Sequence, residues 1–116
     1  MESLVNEFLV ARPVAVVGAS ADRSKYGNII LRDLRERGWP VLAVNPRGGQ
    51  IEGEPAWQSL ADCPERPGLV VTVTPPAVTL GILDEAATLG IDRIWLQPGS
   101  FSDEVLRRAG ELGLRV

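Results

Sequence analysis

The sequence predicts an α/β domain whose parallel sheet is doubly wound in the Rossmann-like manner, and three observations lead there. Short, continuous apolar runs at residues 14–17, 41–44, 69–74 and 93–97 read as strands buried on both faces. Stretches of helical spacing alternate with them, the pattern that wraps helices over both sides of a parallel sheet. Each run also ends on Gly, Pro or a small polar residue, so the strand ends leave room above the sheet.

In chain order, Ser3 could cap a short helix on which Leu4, Val5, Phe8 and Leu9 share a face, closed by Pro13. Val14 to Val17 form the first strand, and Gly18 ends it. Residues 19–25 are small or polar. A helix follows from Gly27 to Arg37, with Ile30, Leu31 and Leu34 inward and Gly38 as its stop. Val41 to Val44 form the second strand, broken by Asn45-Pro46. The stretch from Arg47 to Gly68 reads as irregular, with a weakly signalled edge strand at 55–57 and one helical turn capped by Ser59 and running to Cys63. Residues 69–74 are the third clear strand, 77–89 a helix stopped by Gly90, and 93–97 the next strand. Ser102 caps a last helix, with Asp103 and Glu104 where the helix dipole favours negative charge. Gly113 stops that helix, and Leu114-Arg115-Val116 begins a further strand. Trp39 and Trp95 are expected to pack the sheet against helices, and Trp57 could cover a ligand.

At 116 residues the chain is expected to be one domain, spanning 1–116, that buries roughly two-thirds of its unfolded surface. A composition that is 45% hydrophobic but only 5% aromatic leaves the packing to Val, Leu, Ile and Ala. Twelve Lys and Arg against fifteen Asp and Glu give a net charge of −3, which argues against duplex nucleic acid as a partner. The sequence holds no histidine and one cysteine. That composition removes Ser-His-Asp and Cys-His catalysis, His-based metal sites and any internal disulfide. The apolar runs are too short to cross a membrane, and the N-terminus lacks a signal peptide's pattern. A cytoplasmic location is expected.

In a sheet of this kind ligands bind beyond the carboxyl ends of the strands, where the strand order reverses. Gly18-Ala19-Ser20 should leave room for a phosphate to approach main-chain N–H groups, and the helix start at Tyr26-Gly27-Asn28 should add free donors and a dipole. Lys25 adds a charge. A branched side chain at Gly18 is expected to block the ligand and spare the fold, unless Gly18 takes a positive φ. After the second strand, NAD-binding domains usually carry an acidic residue for the ribose; here Asn45-Pro46-Arg47 suits a phosphorylated ribose, as in NADP or coenzyme A. A surface arginine after an ordinary turn is the other reading of that loop.

Residues 14–20, Lys25 with Gly27, Val44-Asn45-Pro46, Val73-Thr74-Pro75-Pro76 and Gln97-Pro98-Gly99 together resemble the small CoA-binding proteins. These are similar to the CoA-binding N-terminal domain of the succinyl-CoA synthetase α subunit. The likeness runs from Arg12 to Val116. It implies a Rossmann-like fold with coenzyme A along the crest of the sheet. Carried over, Gly18, Ala19, Ser20 and Lys25 would meet the pyrophosphate side. Asn45, Pro46 and Arg47 would lie by the adenosine 3′-phosphate. Thr74, Pro75 and Pro76 would lie along the adenine or pantetheine, and Gln97 would approach the thiol end. Tyr26, Gly27, Pro98 and Gly99 complete the expected cofactor-binding set. The synthetase's second domain and phosphorylated histidine are not matched, so ligase activity is not implied. The chain stops as its last strand begins, so the short tail usual in the small proteins is expected to be missing. No catalytic or metal-ligating residue is expected. The protein partner stays open, and an NADP-dependent oxidoreductase domain or an interaction domain with a degenerate site are the alternatives to CoA or acyl-CoA binding.

Overall fold

The structure is a computed structural model that describes residues 13–116. The helix expected after Ser3 lies outside the described residues. The elements are β1 (Val14–Val17), α1 (Tyr26–Glu36), β2 (Val41–Val44), β3 (Gln50–Ile51), β4 (Glu54–Trp57), a single 3₁₀ turn (Leu60–Asp62), β5 (Leu69–Thr72), α2 (Pro76–Thr88), β6 (Ile94–Leu96) and α3 (Asp103–Glu111). They build one six-stranded sheet in the order β3-β4-β2-β1-β5-β6. Neighbouring strands run parallel throughout, except that β3 and β4 are antiparallel. The chain moves outward from β1 to β2 on one side and then returns to place β5 on the other. The order therefore reverses between β1 and β5.

Alternation along the strands sorts the core into two layers. Ala15, Val17, Val70 and Ile94 point to one face, where they meet Ile82, Leu83 and Ala86 of α2 and Val105 and Ala109 of α3. Val14, Val16, Leu69 and Val71 point to the other, beneath Leu31 and the half-buried Ile30 and Leu34 of α1. Fully burying one such aliphatic side chain stabilises the fold by about 1.5–3 kcal/mol. All three helices end in the same way. The N–H after each stopping glycine reaches back five residues, as in Trp39 to Leu34, Ile91 to Ala86 and Leu114 to Ala109, which is the Schellman pattern.

The stretch expected to be irregular holds a hairpin. Glu52 and Gly53 take φ values of 51° and 80°, the pair of positive angles that a two-residue type I′ turn requires. The weakly signalled strand is present and one residue longer than expected, but it is not the edge, because β4 pairs with β2 on one side and with β3, the edge strand, on the other. Ser59 does not cap the 3₁₀ turn as expected; its hydroxyl bonds the Asp62 carboxylate at 3.0 Å. Ser102 does cap α3, accepting from the Val105 N–H at 3.2 Å. The final strand is present as a single parallel bridge between Arg93 and Arg115.

Candidate functional site

Four loops stand side by side along the carboxyl edge of the sheet, in the order set by their strands: 45–49, 18–27, 73–76 and 97–100. Side-chain and backbone bonds tie each to the next. Asn45 Nδ2 donates to the Ala19 carbonyl at 2.8 Å, joining the loop after β2 to that after β1. The Val73 N–H bonds the Val17 carbonyl at 2.8 Å, and the Gln97 N–H bonds that of Thr72 at 3.2 Å. Below the last two loops, the buried hydroxyls of Thr72 and Ser100 meet at 2.8 Å, and Ser100 also donates to the Gln97 carbonyl. Thr74 Oγ1 bonds Thr79 Oγ1 at 2.8 Å, fixing the start of α2.

The loop after β1 is the most constrained. Gly18 has φ +96°, and a Cβ there would collide with the Val73 carbonyl oxygen. A Cβ on Gly27 would collide with the Gly18 carbonyl oxygen and come within 3.1 Å of the Ala19 Cα. α1 thus starts in direct backbone contact with the loop that precedes it, a packing only two glycines permit. This corrects the expectation that a branched residue at Gly18 would spare the fold. The positive φ and the collision both arise within the chain itself.

A second correction concerns the donors. The N–H groups of Gly18 and Ala19 are not open to a phosphate, because both bond the Val44 carbonyl, at 3.1 and 3.3 Å. Ala19 is fully buried. The unspent amides begin one residue later. Asn45 holds the Ala19 carbonyl, and Asn28 Nδ2 holds the Ser20 carbonyl at 2.8 Å. Because a trans peptide sets its N–H opposite its C=O, the N–H groups of Ser20 and Ala21 face away from those two side chains. Neither donates to any described residue. Nor do those of Tyr26 and Gly27 in the first turn of α1, where the helix dipole is positive. Asp22 lies between these two sets of amides in the chain. It accepts from the Ser24 N–H at 3.0 Å and hydroxyl at 2.6 Å, which, with Lys25 nearby, hold its carboxyl below the ordinary value. Lys25 is exposed just before α1, and Tyr26 beside it is 74% exposed.

The loop after β2 is a compact turn. The Gly48 N–H bonds the Asn45 carbonyl at 2.9 Å, and Asn45 Oδ1 accepts from the Arg47 N–H at 2.8 Å. Asn, Pro and Gly at the first, second and fourth places suit a type I turn. Asn45 is therefore occupied in shaping the crest. An aspartate could not donate to the Ala19 carbonyl, which gives a structural reason for an amide at this position. Arg47 stands exposed at the tip, and its guanidinium bonds no described residue. Pro46, Pro75, Pro98 and Gly99 are exposed, while Thr74, Pro76 and Gln97 are half-buried.

The Asn28 N–H, expected among the free donors, bonds the Lys25 carbonyl at 3.1 Å. The sequence reading missed the Asn28 side chain, which is fully buried, and Glu52, which reaches it from the β3–β4 hairpin. It also placed Trp95 under a helix; Trp95 is 51% exposed on β6, over the face that α1 covers. There a hollow of about 680 Å³ runs beside α1 between Val14, Leu34, Trp39, Val71 and Trp95. Its size suits a small molecule, but Asp33 and Gln97 are its only polar lining residues among those described. Such a lining offers nothing to neutralise a phosphate, so the crest is the stronger candidate. Among the described residues no cluster of acidic or cysteine side chains could hold a metal, and no helix is long and apolar enough to cross a membrane.

The chain is similar to several known proteins. The chain is 34% identical over 79 residues to an ADP-forming acetate–CoA ligase I of Archaeoglobus fulgidus, covering 68% of this chain and 12% of that one. It is 28% identical to the α subunit of the ADP-forming acetate–CoA ligase II of Pyrococcus furiosus, covering 97% of this chain and 27% of that subunit. It thus spans about a quarter or less of these relatives. Among solved structures, a conserved hypothetical protein of Pyrococcus furiosus superposes with a TM-score of 0.85 at 41% identity, over 90% of each chain. The dinucleotide-forming acetyl-coenzyme A synthetase 1 of Ca. Korarchaeum cryptofilum superposes at 0.81 with 29% identity, over 95% of this chain and 26% of that one. A family model described as a CoA binding domain matches residues 12–116, and the chain belongs to that family of CoA-binding domains.

Proposed function

We propose that this domain binds coenzyme A or an acyl-CoA along the crest and does not itself transform it. The observation that carries the reading is the set of unspent N–H groups of Ser20, Ala21, Tyr26 and Gly27, flanked by the cations Lys25 and Arg47 where the strand order reverses. Ser20, Lys25, Tyr26 and Gly27 receive the pyrophosphate, with Gly18 and Ala19 as the floor. Arg47, presented by Asn45 and Pro46, meets the 3′-phosphate. Thr74, Pro75 and Pro76 follow the adenine or pantetheine, and Gln97, Pro98 and Gly99 lie toward the thiol.

The noncatalytic part of the reading is supported by what this chain offers for chemistry. It has no histidine. Burial, with Glu85 and Asp62 nearby, pushes the Cys63 thiol up to about 11, so it is protonated at neutral pH and a poor nucleophile. Among the described residues no side chain is set to activate water or carry an acyl group.

Thermal denaturation tests the ligand. At a hundredfold excess over Kd, a ligand that binds only the folded state stabilises it by about 2.7 kcal/mol, which raises Tm by several degrees. CoA should produce that shift and NAD should not. Equal shifts with both would count against the assignment, and mass spectrometry of ligand released from freshly purified protein would identify the acyl group, if one is present.

A further inference from the structure

Asn28 is buried without any exposure, so its amide needs partners inside the fold. One N–H goes to the Ser20 carbonyl of the loop after β1, at 2.8 Å. The other goes to Glu52 Oε2, at 3.0 Å, from the tip of the β3–β4 hairpin. Its Oδ1 accepts from Arg32 Nε at 2.6 Å, and Arg32 Nη2 donates to the Arg23 carbonyl at 3.2 Å. Arg23 Nε in turn lies 3.6 Å from Glu52 Oε2, and Arg35 Nη1 reaches the Glu52 carbonyl at 3.4 Å. The Ser20 carbonyl is thereby tied through Asn28, and the Arg23 carbonyl through Arg32 and Asn28, to a single carboxylate twenty-four residues beyond Asn28. The Arg23 side chain also meets that carboxylate directly.

Glu52 is an odd choice for its own turn. At φ +51° an Asn, Asp or Gly would be the ordinary residue, and a longer side chain is strained. Asn and Asp are one methylene shorter, and Gly has no side chain. A glutamate has the reach to Asn28 that these lack.

We propose that Glu52 is a positioning residue: it latches the hairpin to the loop after β1 and holds the Ser20 and Ala21 amides in the orientation that receives the pyrophosphate. The proposal rests on the CoA reading above and adds a determinant that does not touch the ligand. The Asn28 bond and the surrounding Arg23, Arg32 and Arg35 favour the ionised carboxylate, which keeps the latch charged at neutral pH.

The test compares Glu52→Gly, Glu52→Asp and Glu52→Gln in the whole protein. Glycine suits the positive φ, so the hairpin should stay folded while the carboxylate is gone. Calorimetry should show Glu52→Gly losing about tenfold in affinity, equally for CoA and dephospho-CoA, as expected for the loss of one hydrogen bond. Glu52→Asp, charged but short, should behave like glycine; Glu52→Gln, neutral but long enough to accept from Asn28, should recover most of the loss. In ligand-free protein, hydrogen exchange at residues 20–27 should quicken in the first two variants and not in the third. Wild-type affinity in Glu52→Gly, with unchanged loop exchange, would overturn the latch and leave CoA as the ligand. Wild-type protein that takes up no CoA would instead overturn the ligand reading, and the positioning role with it.

Discussion

The loops after β1 and β2 stand next to each other on the crest, joined by the Asn45 to Ala19 bond, and they are held by different kinds of force. The first is shaped from a distance. Val73 presses on Gly18, Gly18 presses on Gly27, and Asn28 and Glu52 hold its carbonyls from behind. The second takes its shape from its own residues, a turn closed from Gly48 to Asn45 with Arg47 at the tip. It is moored to β4 only at its ends, where the Asn45 N–H bonds the Trp57 carbonyl and the Gly49 carbonyl accepts from the Ala56 N–H. One loop is a product of the tertiary fold and the other of local turn chemistry. In the first, the amides proposed to meet the ligand and the contacts that fix the fold share the same backbone. In the second, Arg47 hangs free of the fold.

The largest effect that probes this contrast is Gly18→Val. Strain at φ +96° and overpacking against the Val73 carbonyl should together cost about 2–6 kcal/mol, a large share of a small domain's stability. Urea unfolding followed by circular dichroism should show the loss with no ligand present. A variant as stable as the wild type would break the claim that this loop is fixed by the fold.

Arg47→Glu should do the opposite, leaving stability alone and striking recognition. CoA and dephospho-CoA differ only in the 3′-phosphate, and a planar guanidinium can give that group two charge-assisted bonds. Loss of such a contact should weaken CoA by about 5- to 150-fold and dephospho-CoA far less. Calorimetric titration of both ligands decides it. Equal losses would remove the 3′-phosphate role and leave the turn a mere connection.

The smallest effect is expected at Gly49→Ala. Its φ of +78° disfavours a side chain, but a Cβ there meets nothing within 4 Å. The cost should therefore stop at the backbone strain, about 1–2 kcal/mol. A loss matching that of Gly18→Val would mean that the second loop, too, is pinned by contacts beyond its own turn.

The same contrast separates what could be read in the sequence from what could not. Buried apolar runs such as Val14–Val17 and Leu69–Thr72 announce a parallel sheet, because burial on both faces is written in consecutive residues. The turn at Asn45-Pro46-Arg47-Gly48 is equally local, and so are the Ser102 cap and the glycine stops. The hairpin escaped because β3 is two residues long and its turn is Glu-Gly rather than Asn-Gly. The occupied amides of Gly18 and Ala19, the collision at Gly18 and the reach of Glu52 to Asn28 each depend on residues that meet only after folding. In sequence, Asn28 is one polar residue on an amphipathic helix. Nothing in its neighbours marks it as buried.

The backbone contact between Gly18 and Gly27 bears on how relatives of this chain are to be interpreted. Drift in a descendant that had ceased to recognise any nucleotide would still be purged at these two positions, since replacing either damages folding itself. Their persistence in an alignment would then record ancestry and foldability, and carry little information about present-day activity. Arg47 and Lys25 are under no such constraint, because both are exposed and neither side chain bonds a described residue. Selection for a ligand is the main force that would keep them cationic. Sorting homologues by those two sites, and disregarding the glycines, is the more discriminating way to separate active members of the lineage from relics.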